Sequence, residues 1–347
     1  MPESDMFLPR AATPTTTHRP APSWAAKKKT PPPPAAPLNG SAKTTWRRAF
    51  APSDPHEHAH KIAETVIDTW YRSHGGSSIH IPIGTVAALA LLRRPPGTGN
   101  ALADWIINLE PRELPQLFKE IYLGHWIKRP DLINRALRLH DWAWNPDPDP
   151  HQLRAVHAIT HQALNQGLLH LTGHDDPYMR AESDVLSPLL TGLRHKSDKK
   201  WRGEYHTPPC VSDLIARLLG DDSLQPGDAI REPAVGTGTM LRSIAQLLRD
   251  RGLNTHDFHW YGNDIDDLAA ACAAINTIIW DLGPGALIGC ANSLALEDGG
   301  YAKTLAEAKE AFEQRDTYVD MASGIATWRR TFRLLDNLTP DQQKAPA

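Results

Sequence analysis

Ile230-Arg231-Glu232-Pro233-Ala234-Val235-Gly236-Thr237-Gly238-Thr239-Met240-Leu241 is the stretch on which the fold turns. A short run that reads as a strand ends in an acid and a proline. A Gly-x-Gly turn follows, and then an amphipathic pattern predicts a helix over 239–251. Strand, glycine turn and helix start together form a site for the polar part of an adenosine-type cofactor. The glycines let backbone approach a ligand closely, and the helix start offers unpaired N–H groups.

Working outward, the pattern alternates. A helix is predicted at 208–219, strands at 228–232, 257–263 and 286–289, and helices at 239–251 and 266–281. This alternation is the signature of a doubly wound parallel sheet. After residue 297 the alternation stops. Two separate helices are predicted there, at 301–316 and 321–336. Upstream, from about 55 to 195, the pattern is helical throughout. Asp54 and Pro55 start a helix through Ile62, Val66, Ile67 and Trp70, and Gly75-Gly76 end it. Further helices are predicted at 86–92, 101–109, 112–128, 131–144, 151–172 and 181–194. Trp70, Trp105, Trp126, Trp142 and Trp144 fall on or beside apolar stripes and are read as core.

Residues 1–53 are rich in Pro, Ala and Thr, with a four-proline run at 31–34. Such a segment cannot bury enough apolar surface to offset its ordering entropy, so it is read as a disordered tail. The expected organisation is therefore a basic tail (1–53), a helical domain (54–198), an α/β domain (199–300) and a helical C-terminal segment (301–347).

Composition bounds the chemistry. The chain has 347 residues, a net charge of −3 and three scattered cysteines without a C-x-x-C pair. That argues against a disulfide framework or a cysteine zinc site and for a reducing, cytoplasmic setting. No apolar run reaches the roughly 18–20 residues that span a bilayer, and no secretory signal is read at the N-terminus. The charge is uneven: Lys27-Lys28-Lys29 and the run Arg194 to Arg202 are basic, each readable as a solvated segment or as a phosphate contact. His157 and His161 share a helix face at i, i+4. With no neighbouring Glu or Cys they are read as ordinary helix histidines, and no metal site is assigned.

Four pieces occur in order. Gly203-Glu204-Tyr205-His206-Thr207-Pro208 precedes the helix at 208. The glycine turn comes second. Tyr261-Gly262-Asn263-Asp264-Ile265-Asp266 lies at the tip of the second strand, where a carboxylate, acceptor-only and charged, suits two ribose hydroxyls. Asp264 can equally cap the helix that follows, while Asp266 and Asp267 read as first-turn helix charges. Ile288-Gly289-Cys290-Ala291-Asn292-Ser293-Leu294 ends the third strand, where a side-chain amide could meet an adenine edge. A dinucleotide site fits less well, because Leu241 stands where the third glycine of Gly-x-Gly-x-x-Gly belongs.

With these residues in register, the sequence resembles the adenine-N6 DNA methyltransferases, especially the modification subunits of type I restriction systems. The resemblance implies a Rossmann-like domain that binds S-adenosylmethionine, preceded by an all-α domain. It implies that Tyr205, Thr207 and Pro208 pack at the methionine end. Glu232, Pro233, Ala234, Gly236, Thr237 and Gly238 would form the cofactor loop, Asp264 would hold the ribose, and Asn292 would meet the adenine. Asn276 sits where the family's following helix often carries an Asn. The departures are Glu232, Val235 and Asn292, where the family has Asp, Cys and Asp. The family's catalytic Asn/Asp-Pro-Pro-Tyr/Phe, which binds the amine of a flipped adenine in duplex DNA, is not found after Leu294. Asp336-Asn337-Leu338-Thr339-Pro340 has the wrong order and no aromatic. The chain thus resembles the cofactor-binding half of such an enzyme, and its catalytic residues are unassigned. Three functions remain open from sequence: an adenine-N6 methyltransferase of a restriction-modification system, a non-catalytic cofactor- or DNA-binding accessory that needs a protein partner, and a small-molecule methyltransferase.

Overall fold

The computed structural model describes residues 54–94, 97–98, 100–194, 207–219, 224–295 and 298–338, with side chains to 218 in the fourth range and to 330 in the last. The N-terminal tail, the run 195–202 and Tyr205 lie outside the described residues. So does the domain boundary expected at 198/199.

The helical part runs α1 (Pro55–His74), α2 (His80–Ala90), α3 (Ala101–Ile107), α4 (Leu114–Trp126), α5 (Pro130–Arg135), α6 (Leu137–His140), a 3-10 turn (Asp141–Trp144), α7 (Pro150–Asn165), α8 (Leu168–Thr172), α9 (Pro177–Arg180) and α10 (Leu186–Leu193). The α/β part follows as α11 (Pro209–Leu219), β1 (Ala229–Glu232), α12 (Thr239–Asp250), β2 (His259–Asp264), α13 (Asp267–Ile279), β3 (Ala286–Cys290) and α14 (Tyr301–Leu338).

The starts follow the sequence signals. Asp54 accepts from His56 N and Glu57 N ahead of Pro55, and Gly75 ends α1 at φ +78°. Asp149 and Asp176 cap α7 and α9 in the same way, each before a proline. Three predicted helices are broken. The 131–144 helix splits at Ala136, and the 151–172 helix at Gly167, which takes φ +85°. The 181–194 helix shortens to α10, because Asp184 accepts from Leu186 N and Ser187 N. Conversely, 301–316 and 321–336 are one helix. No proline interrupts them, and Thr317 turns its hydroxyl back onto the Glu313 carbonyl in the helical manner. Trp70 and Trp142 are buried as expected, whereas Trp105 and Trp144 are exposed. Helix spacing cannot distinguish a core stripe from a half-covered one.

The three strands are parallel in the order β1-β2-β3. Glu232 pairs with Gly262, and Asp264 with Cys290, so β2 and β3 finish level and β1 stops two residues short of them. α12 and α13 are the two crossovers. α13 buries almost its whole length against the sheet and against α2, α5, α6 and α10, so helices and sheet share one apolar core. Close backbone approach occurs inside that core. A Cβ on Gly84 of α2 would stand 1.7 Å from the Leu139 carbonyl oxygen of α6.

The C-terminus of α13 is held by three arginines, one from the loop after α2, one from α9 and one from α12. Arg93 donates to Ile278 O at 3.4 Å, Arg180 to Ile279 O at 2.6 Å, and Arg249 to Trp280 O. Guanidinium groups here meet both the orphan carbonyls and the negative end of the helix dipole. Burial lowers Arg93 and Arg249 to about 10, which leaves both charged at neutral pH. Arg180 also donates to His174 O and Asp175 O. Arg180→Met is therefore expected to cost about 1–3 kcal/mol, by stranding the buried Ile279 carbonyl, and a thermal melt will show it as a fall in Tm of several degrees.

Candidate functional site

The glycine turn, the tip of β2 and the loop after β3 meet at the carboxyl end of the sheet. This is where ligands bind in open α/β sheets. Val235 N extends the ladder to Asn263 O at 2.8 Å, and Ala291 N does the same to Asp264 O at 3.0 Å. Ser293 Oγ donates to Pro233 O at 3.1 Å, drawing the third loop onto the first.

Gly236 and Gly238 both take positive φ, +55° and +97°, a conformation that L side chains rarely adopt. Their surroundings differ. A Cβ on Gly238 would meet Trp280 Cζ3 at 3.0 Å, whereas a Cβ on Gly236 would meet nothing within 4 Å. Gly238 thus serves packing, and Gly236 borders open space. Gly238 is also the N-cap of α12, with no side chain bonded across the helix start.

Asp264 joins the two loops. Its Oδ2 accepts from Gly236 N at 2.8 Å and its Oδ1 from Asp266 N at 2.9 Å. A carboxylate has about four lone-pair sites, so acceptor capacity remains after these two bonds. Asp264 is not the cap of the next helix. Asp266 is, accepting from Leu268 N and Ala269 N. Asp266 also pairs with the buried Arg194 at 2.5 Å, tying α10 to the site. Only Asp267 is a first-turn charge, and it pairs with Arg138.

Glu232 Oε1 accepts from Ala234 N at 3.1 Å. Burial raises its pKa, the Ala234 N–H offsets part of this, and the charge on Asp264 adds to the rise. The fold therefore favours the protonated acid. This contribution is fully present below the ordinary glutamate value of about 4.3 and is lost as pH rises through the raised value. Glu232→Gln is expected to gain thermal stability relative to the wild type as pH rises through that window. Parallel Tm curves for the two proteins would contradict this assignment.

The residue that sequence reasoning missed is Asp184. It is 5% exposed. Besides capping α10, its Oδ2 accepts from Thr237 Oγ1 at 2.7 Å and Thr239 Oγ1 at 3.3 Å, and its Oδ1 from Asn276 Nδ2 at 3.0 Å. Asn276 also donates to Thr237 O at 2.9 Å. Thr237 therefore points inward and locks the loop. The signal available in sequence was Asp184 as a helix cap. Nothing local placed it 53 residues from its hydroxyl partner.

Thr207 and Pro208 line a cavity of about 400 Å³ with Asp184, Ser187, Thr239 and His56. Asp184 and Thr239 connect this cavity to the glycine turn. Glu232, Pro233, Ala234, Gly236 and Asp264 stand at the strand ends. Asn292 is exposed at the end of β3, and its Oδ1 is engaged by Leu294 N at 3.1 Å. His157 Nε2 lies 3.1 Å both from Leu109 O and from His161 Nε2, and no group of three or more metal-ligating side chains occurs among the described residues.

Residues 184–305, which begin at Asp184, match the model of the N-6 DNA Methylase family. No curated protein matches the chain. Among solved structures the chain is similar to the type I restriction-modification system methyltransferase subunit from Streptococcus thermophilus, at 13% identity and a TM-score of 0.41. That similarity covers 70% of this chain and 60% of the subunit, so the chain spans less than two thirds of its length. No helix among the described residues is long and apolar enough to cross a membrane.

Proposed function

We propose that this chain, through its N-6 DNA methylase segment, is the S-adenosylmethionine-binding part of a DNA adenine-N6 methyltransferase of the restriction-modification type. The observation that carries this reading is the Asp264 carboxylate bridging Gly236 N and Asp266 N at the ends of parallel strands. Asp264 keeps lone pairs for two ribose hydroxyls. Gly236, with open space where its Cβ would stand, admits the ligand to the backbone. The cavity under Thr207 and Pro208 has the volume for the methionine portion. Asn292 lies at the end of β3, where the adenine would reach, and offers its amide nitrogen. Tyr205, outside the described residues, is assigned to the methionine end by its motif alone. The domain expectations of a Rossmann-like unit after a helical one are part of the same proposal.

Bound S-adenosylmethionine supplies an electrophilic methyl group. The residues of this chain bind and orient it. Transfer then needs an acceptor for the adenine amine, and the sequence holds no Asn/Asp-Pro-Pro-Tyr/Phe. Among the described residues β1 pairs only with β2. Its outer edge is where strand order would reverse in a doubly wound sheet, beside the glycine turn. The second reading follows from this: the chain works with a protein partner that supplies the amine-binding residues, and DNA is their shared substrate. Transfer of labelled methyl to duplex DNA is expected only when that partner is present. Transfer by the isolated chain would place the amine acceptor within it. Absence of transfer with every neighbouring gene product would leave a binding protein.

A further inference from the structure

We propose that His60 and Glu64 of α1 form an amino-acid subsite in the cavity beside Thr207 and Pro208. Glu64 accepts from the ammonium of the cofactor's methionine end, and His60 donates to its carboxylate. This rests on the S-adenosylmethionine reading of the site and extends it to the helical part of the chain, to which no motif assigned a cofactor contact. α1 presents His56, His60 and Glu64 to the cavity at successive turns, and Ile67 ends the row. Asp184, Ser187 and Thr239 stand on the walls that the other elements supply.

The α1 wall is fixed relative to the glycine turn. Ile62, Ala63 and Val66 anchor α1 in the core. A Cβ on Gly192 of α10 would stand 2.3 Å from Ile67 Cδ1, so glycine there lets α1 and α10 close on each other at one end of the cavity. α10 is in turn tied to Thr237 through Asp184, and to the loop after β2 through Arg194 and Asp266. The backbone that carries His60 and Glu64 therefore has a set position beside the cofactor loop.

Charge selects the ligand group. Among the described residues no Lys or Arg lines this cavity, and its acids are Asp184 and Glu64. Asp184 is saturated by its five donors. Glu64 has no hydrogen bond or ion pair among the described residues, so it is the acid left to meet a cation. His56 stands 4.0 Å from Asp213 through its Nε2, which leaves His60 as the imidazole free to donate into the cavity. Side chains four residues apart on a helix have Cβ atoms about 5–6 Å apart. An acid and an imidazole at that spacing can straddle the ammonium and carboxylate of one α-amino acid. The sulfonium adds a further positive charge, and a cavity with acids and no bases suits a ligand of net positive charge.

Isothermal titration of the full chain with three thioether probes tests this. S-adenosylhomocysteine carries both charges, S-adenosyl-3-thiopropylamine only the ammonium, and 5′-methylthioadenosine neither. Glu64→Gln is expected to weaken the first two about ten-fold and to leave 5′-methylthioadenosine unchanged. His60→Ala is expected to weaken S-adenosylhomocysteine about five-fold and to leave the other two unchanged. Both residues are exposed, so neither variant is expected to lower Tm. Asp264→Ala is expected to weaken all three probes. Equal affinity of the wild type for S-adenosylhomocysteine and 5′-methylthioadenosine overturns the subsite and leaves the cofactor reading standing. So does a Glu64→Gln protein that binds every probe as the wild type does, or that weakens all three alike. A wild type that binds no probe overturns the cofactor reading itself, and the subsite with it.

Discussion

Asp184→Ala is expected to lower stability by about 3–5 kcal/mol, because several buried donors lose their acceptor at once. The carboxylate takes five hydrogen bonds, from two backbone N–H groups of α10, the hydroxyls of Thr237 in the glycine turn and Thr239 at the start of α12, and the Asn276 amide. Alanine leaves a cavity and no acceptor. The hydroxyls can rotate, but the Asn276 N–H and the α10 amides are fixed, and their desolvation is then uncompensated. Asp184→Asn keeps one carbonyl oxygen and is expected to lose roughly a third to a half as much, since Thr237 and Thr239 can turn to accept from the new amide. Denaturant melts of the three proteins check the order. A loss under 1 kcal/mol for the alanine variant would show that the network is not a unit.

Asp264→Ala carries the second large effect, on binding. Two ribose hydroxyls bonded to a charged acceptor contribute about 3–4 kcal/mol together, so the variant is expected to lose about 100- to 1000-fold in affinity for S-adenosylmethionine. It also frees Gly236 N and Asp266 N, which loosens the turn. Asp264→Asn separates the two effects. Its remaining carbonyl can accept from one backbone N–H, while its amide cannot accept from a second ribose hydroxyl. Its melting temperature is expected between those of the wild type and Asp264→Ala, and a loss of affinity out of proportion to that fall assigns the loss to ligand contact rather than to the fold.

Much of the site was legible because its signals are local. The glycine turn, the acid at the tip of β2 and the alternation that makes the strands parallel all lie within spans that periodicity can read. Asn276 was found only through family resemblance, and its role, holding Thr237 O beside Asp184, required the fold. Asp184 itself was hidden, because its helix-cap signature is local but its hydroxyl partners are not. The arginines at the end of α13 were hidden for the same reason: Arg93, Arg180 and Arg249 meet backbone carbonyls, which carry no residue identity. Helix boundaries failed where the deciding contact was tertiary. Ala136 breaks a predicted helix with no Gly or Pro to mark it, near the place where Gly84 admits the backbone of α6. The unbroken α14 escaped notice because Thr317 and Tyr318 lower helix propensity without stopping a helix.

Isothermal titration of the full chain with S-adenosylmethionine is the most direct measurement of whether the glycine turn and Asp264 hold that cofactor. The account predicts one saturable site, displaced by S-adenosylhomocysteine and lost in Asp264→Ala while the variant still melts cooperatively. Equal affinity in both proteins, or no heat of binding in the wild type, would contradict it.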